Sequence, residues 1–165
     1  MSTEQGNKAI VSRWHAEFWG QTFNLDVVDE IAAPDMLLKY SLHEPQRGQD
    51  AIKTFMQDFR AAFPDLNFRG TADLIAEGDY VVGQWDGGGT HNGVAFDGFL
   101  AGPLRASTGR KMRFTGTAIF RLKSSRIAEE IGLDDGVTAL MQLIPKLIDD
   151  DLMSCADCHG RAMPG

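Results

Sequence analysis

The sequence predicts an α+β fold, a curved, mixed but mainly antiparallel sheet wrapped around helices. Three observations carry that prediction. Up to residue 63 apolar residues recur at helical spacing. From residue 66 onward they alternate with period two in long runs separated by turn residues. Glycines at 83, 98 and 116 interrupt those runs, where a sheet closing over a helix has to bend. Helices grouped apart from a run of strands indicate α+β rather than alternating α/β.

A first helix is expected over 8–20, with Ile10, Val11, Trp14 and Phe18 on one face and His15 beside it. A short second helix over 25–32 takes Asn24 as its N-cap and stops at Pro34. A strand over 36–42 carries Tyr40 and leads into His43 and Glu44. The clearest helix starts at Gly48 or Asp50 and ends before Pro64, with Ile52, Phe55, Phe59 and Ala62 or Phe63 as its stripe.

Two strand runs, 66–76 and 80–89, are joined by Glu77, Gly78 and Asp79, a hairpin signal. Residues 94–102 are glycine-interrupted and aromatic, a bent strand or a loop over a cavity, and 103–109 are polar and irregular. A strand over 110–122 places Met112, Phe114, Gly116, Ala118, Phe120 and Leu122 on one face and Arg113, Thr115, Thr117, Ile119 and Arg121 on the other. After a turn at 123–125, a last strand places Ile127, Glu129, Ile131, Leu133 and Asp135 on one face. Beyond Gly136 it becomes a helix, where Val137, Leu140, Met141 and Ile144 recur. Residues 1–148 read as one domain and 149–165, opening on three aspartates, as a flexible tail.

The bulk numbers exclude several roles. Hydrophobic content of 43% and charged content of 24% are ordinary for a globular chain. A net charge of -7 argues against nucleic-acid binding. No run approaches the roughly 20 apolar residues that span a bilayer. The N-terminal segment lacks a basic region followed by an apolar core, so a cytoplasmic location without membrane contact is expected. The glycine cluster 87–89 lacks the strand–turn–helix setting of a phosphate loop.

Several local signals together carry a resemblance: Phe-Pro-Asp-Leu at 63–66, Glu-Gly-Asp at 77–79, Gly-Thr-His-Asn-Gly at 89–93, and a strand with Glu129-Glu130 that ends in Asp. Their order and spacing resemble the SnoaL-like polyketide cyclases, also called the ester cyclase group, over roughly residues 8–147. These belong to the superfamily of cone-shaped α+β barrels that includes ketosteroid isomerase and nuclear transport factor. The resemblance implies an open cone-shaped barrel with a deep apolar pocket, a homodimer, and an intramolecular aldol-type ring closure without metal or cofactor. It also implies an aspartate late in the final strand as general acid/base, which maps to Asp135, with Asp134 beside it as the alternative.

Proton abstraction next to a carbonyl needs a base held dry and oriented. Asp135 is therefore a candidate catalytic residue, and a helix N-cap is its competing role. His91, in the Gly-Thr-His-Asn-Gly turn, is the candidate donor to a developing enolate oxygen, against a plain turn histidine. Trp85, His43, Tyr40, Trp14, Phe59, Phe99, Phe120 and Glu129 are candidates to line a pocket for a small apolar, polyketide-like molecule, although most aromatics must simply be core. Cys155, Cys158 and His159 form Cys-x-x-Cys-His, the pattern of c-type haem attachment. Without an export signal, haem is disfavoured, a weak metal site is an alternative, and a tail with reactive thiols is the leading reading. The sequence thus points to a cofactor-free cyclase or isomerase. The alternatives are a non-catalytic binding protein with the same pocket, or a metal or haem module in the tail.

Overall fold

A computed structural model describes residues 2–144. The expectations for the tail, including Cys155, Cys158 and His159, lie outside the described residues. The chain begins with α1 (Thr3–Trp14), continues as one π-helical turn (His15–Trp19), and adds the short α2 (Val27–Ile31). Then come β1 (Ala32–Lys39), β2 (Gln46–Arg47) and α3 (Gln49–Ala62). The sheet is completed by β3 (Asn67–Gly70), β4 (Ile75–Glu77), β5 (Tyr80–Thr90), β6 (Lys111–Lys123) and β7 (Arg126–Asp134), and α4 (Gly136–Leu143) follows.

The strands form one open sheet in the order β2-β1-β7-β6-β5-β3, with β4 also paired to β5. β1 runs parallel to β7 and the other pairs are antiparallel. α1 and α3 pack their apolar stripes onto the concave side, and Val11, Trp14, Ile52, Met56 and Phe120 are fully buried there. The fold is the mixed, mainly antiparallel α+β arrangement that the residue pattern predicts.

Three local differences have physical causes. α1 starts five residues before the expected position because Ser2 and Gln5 form a capping box, each side chain bonding the other's backbone N–H. Pro34 lies inside β1 rather than ending α2, and β1 pairs irregularly with β7 between Ala32 and Leu37, where proline has no N–H to offer. The third difference sets up the site. Arg121 pairs with Glu129, but the next partner of Leu122 is Ile127, so Ala128 is one residue too many. This bulge breaks the alternation of β7. Ile127 faces the core, yet Glu130, Gly132 and Asp134 point inward while Glu129, Ile131 and Leu133 point out.

Candidate active site

A cavity opens between the concave sheet and the helices. It is narrow, with about 40 Å³ open to the centre of a water-sized sphere. Trp19, Phe59, Phe68, Trp85, Phe99 and Phe114 make its aromatic walls. Its polar lining comes from Tyr40, His43 and Asp134, with His15 and Arg69 also contributing. Two glycines make room for the rings. A Cβ on Gly132 would lie 1.9 Å from the Tyr40 ring, and one on Gly116 would lie 2.4 Å from Trp85. Both glycines leave space in the sheet that an aromatic ring fills.

Behind Tyr40 sits Glu130, which is fully buried. Its carboxyl accepts from Trp14 Nε1 at 2.7 Å, Trp19 Nε1 at 2.9 Å and the Tyr40 hydroxyl at 2.5 Å. The π turn makes this possible. Five residues are about 1.4 turns of an α-helix, which would send Trp14 and Trp19 to different faces. The wider π winding turns both indoles toward one carboxyl. Arg60 holds the end of that turn, donating to the carbonyls of Phe18 and Gly20 at 2.8 and 2.9 Å. Among the described residues no cation pairs with Glu130. Burial pushes its pKa up to about 7, partly opposed by the three hydrogen bonds. Burial and the neighbouring Glu130 push the Tyr40 phenol well above its ordinary range.

Asp134 lies two residues beyond Gly132 on the same inward face and lines the cavity. Ser41 grips its carboxylate through the backbone N–H at 3.4 Å and through the hydroxyl. His43 is 5% exposed and packs against Phe55 at 4.2 Å between ring centres. Its Nδ1 meets the Glu44 carbonyl at 2.8 Å, whereas Nε2 has no partner among the described residues. Burial lowers its pKa, although Asp134 and Glu44 pull the other way. Trp85 Nε1 is likewise buried without a hydrogen bond among the described residues; it faces the Tyr40 hydroxyl short of bonding geometry.

Several residues expected at the site are elsewhere. Asp135 is exposed and caps α4, accepting from Thr138 N at 3.4 Å and Thr138 Oγ1 at 2.7 Å. The bulge shifts the inward position to its neighbour, so the alternative Asp134 holds the place in the cavity. His91 is fully buried with both ring nitrogens engaged, Nδ1 with Thr108 Oγ1 at 2.9 Å and Nε2 with the Val94 carbonyl at 2.8 Å. It braces the long 91–110 connection, whose Phe99 covers the cavity. Trp14 reaches Glu130 rather than the cavity, Phe120 is core against His15, and Glu129 pairs with Arg121 on the outer face. Tyr40, His43, Phe59, Trp85 and Phe99 do line the cavity. His15, expected merely to pack, also lines it, and burial lowers its pKa to about 4. Trp19, Phe68 and Glu130 were not singled out by sequence as site residues. For Trp19 and Glu130 the signal was hidden, because neither the π turn nor the bulge follows a regular period.

A family model described as SnoaL-like polyketide cyclase matches residues 9–143. The chain belongs to the SnoaL-like polyketide cyclase family. Its structure is similar to a candidate SnoaL-like polyketide cyclase from Jannaschia sp. CCS1, at 23% identity and TM-score 0.71, covering 87% of this chain and 95% of that one. It is also similar to a candidate polyketide cyclase from Acidithiobacillus ferrooxidans, at 27% identity and TM-score 0.64, covering 87% and 97%. A Catenulispora acidiphila protein with a ketosteroid isomerase-like fold, in complex with trimethylamine, matches at 16% identity and TM-score 0.63, covering 81% and 91%. No curated protein matches the chain. In this SnoaL-like protein no described helix is long and apolar enough to cross a membrane.

Proposed function

We propose that the protein is a cofactor-free acid/base enzyme of the cyclase or isomerase type, acting on a small apolar carbonyl compound. Asp134 takes the proton from the carbon next to the carbonyl. The observation that carries this reading is a carboxylate, oriented by Ser41, at the wall of a cavity built mostly of aromatic side chains. Ser41 occupies part of the carboxylate's acceptor capacity and leaves further lone pairs for the cavity. Trp85, whose Nε1 has no hydrogen-bond acceptor among the described residues, lines the same cavity and would donate to the oxygen on which charge develops. The reading includes a cytoplasmic location and a homodimer, the latter supported by Ile119, Ile131 and Leu133, which lie exposed side by side on the outer sheet face.

The test is deuterium uptake at the α-carbon of 1-tetralone in D2O, followed by NMR. The wild-type chain is expected to accelerate exchange over buffer, and Asp134→Asn to remove about 10²–10⁴-fold of that acceleration. If 1-tetralone binds but exchanges at the buffer rate, the pocket is a non-catalytic binding site and the enzyme reading falls. If Asp134→Asn exchanges as fast as wild type, another group is the base.

A further inference from the structure

The cavity contains a second group whose chemistry is set by its surroundings. A backbone carbonyl only accepts, so the 2.8 Å contact with Glu44 requires a hydrogen on His43 Nδ1. In a neutral imidazole the other nitrogen is then a bare lone pair. That nitrogen, Nε2, is buried and has no partner among the described residues, while its ring lines the cavity. Burial keeps the ring neutral near pH 7. The groups around it are the carboxylates of Asp134 on β7 and Glu44 beside it, the phenol of Tyr40, and the apolar rings of Phe55 on α3 and Phe99 in the 91–110 connection.

A buried acceptor without a donor costs about 1–3 kcal/mol, so such an atom points to something that supplies the missing hydrogen. Trp85 Nε1 is the reverse case, a buried donor short of an acceptor among the described residues. The residues that line the cavity thus include one orphan acceptor and one orphan donor.

We propose that His43 is a specificity-determining residue, and that the cavity's occupant carries an O–H group, an enol or a hydroxyl, that donates to His43 Nε2 alongside a carbonyl-type acceptor for Trp85. This deepens the acid/base reading and rests on it for the identity of the pocket. It does not rest on Asp134 being the base. His43 separates an enol or hydroxy-carbonyl compound from an otherwise equal one that lacks the O–H.

Two measurements on the full chain test it. In long-range nitrogen–proton NMR at pH 7, with His43 assigned by comparison with His43→Phe, the ring should show hydrogen on Nδ1 and none on Nε2. A proton on Nε2, or a charged ring, overturns the proposal, and this readout needs neither ligand nor turnover. The second uses 4-fluorophenol, a stable enol, against 4-fluoroanisole, its methyl ether, followed by fluorine NMR. The phenol should bind about tenfold tighter, the effect of one hydrogen bond of about 1.4 kcal/mol. The preference should vanish in His43→Phe and persist in Asp134→Asn. Equal binding of the two probes by the wild-type chain overturns the proposal. So does a preference that survives His43→Phe but is lost in Asp134→Asn, which would assign the O–H to the aspartate.

Discussion

Glu129 and Glu130 are neighbours in β7 and chemical opposites. Glu129 lies on the outer face, where Arg121 meets it at 2.9 Å and holds its carboxyl below the usual range. Glu130 lies on the inner face, fully buried, with three neutral donors around it and no cation among the described residues, and burial pushes it up to about 7. Four residues later the contrast repeats, with Asp134 in the cavity and Asp135 capping a helix in solvent. A one-residue bulge at Ala128 decides which member of each pair goes where. The lesson is that strand phase sets the chemistry of an acid here more than its residue type does.

The sharpest way to break the first pair is to remove each acid. Glu130→Leu takes the acceptor from two buried indoles and a phenol. At about 1–3 kcal/mol for each orphaned donor, a loss of roughly 3 kcal/mol or more is expected, after the relief of no longer burying a carboxyl. Glu129→Gln removes one partly exposed ion pair and should cost less than about 1 kcal/mol. Urea unfolding midpoints at pH 6 check both. Equal losses from the two variants would sink the contrast.

Titration probes the same pair more gently. Glu130 rises from an ordinary 4.5 to about 7 in the folded chain. Its contribution to stability is therefore fully present below about pH 4.5 and lost as pH rises through 7, roughly 3 kcal/mol at about 1.4 kcal/mol per pH unit. His15 has the opposite sign. Its pKa falls from 6.5 to about 4, so its contribution is present above pH 6.5 and lost as pH falls toward 4. The two oppose each other between pH 4.5 and 6.5, and His43, whose pKa burial also lowers, acts on the His15 side, so wild-type stability should rise less steeply with pH there than that of Glu130→Gln. Glu130→Gln should unmask the rising limb of His15. Indole fluorescence gives an independent readout. Trp14 and Trp19 bond Glu130 directly, so emission should change with a midpoint near 7. A fluorescence titration that is unaltered in Glu130→Gln would show that the buried acid does not titrate.

Much of this architecture was legible in the sequence. The inward face of β6, from Met112 to Leu122, follows strict alternation, and α3 follows its helical stripe. Both elements are regular, so periodicity suffices to read them. The candidate site was legible as a set of residue types but not in phase. Alternation placed Glu129, Ile131, Leu133 and Asp135 with Ile127, and the bulge sends all four outward. Trp19 falls outside the α-helical stripe of Ile10, Val11, Trp14 and Phe18, and only π winding returns it to that side. His91 has the polarity of a catalytic group, yet the turn it anchors uses both of its nitrogens. Irregular backbone thus positions Trp19, Glu130 and Asp134 and hides them from a periodic reading.

The smallest expected effect separates Asp134 from Asp135. Asp135 supplies a side-chain acceptor to the first turn of α4, with Thr138 as its partner through both backbone N–H and hydroxyl. Losing such a cap costs about 1 kcal/mol. Asp135→Ala should therefore lower the unfolding midpoint by about that amount and leave 1-tetralone exchange unchanged, because its carboxylate does not line the cavity. Asp134→Asn should behave in reverse, changing exchange far more than stability, since asparagine keeps an oxygen for Ser41. If Asp135→Ala instead removed exchange while Asp134→Asn spared it, the strand would have to slip its phase in solution. The bulge would then be a movable feature of β7 rather than a fixed one.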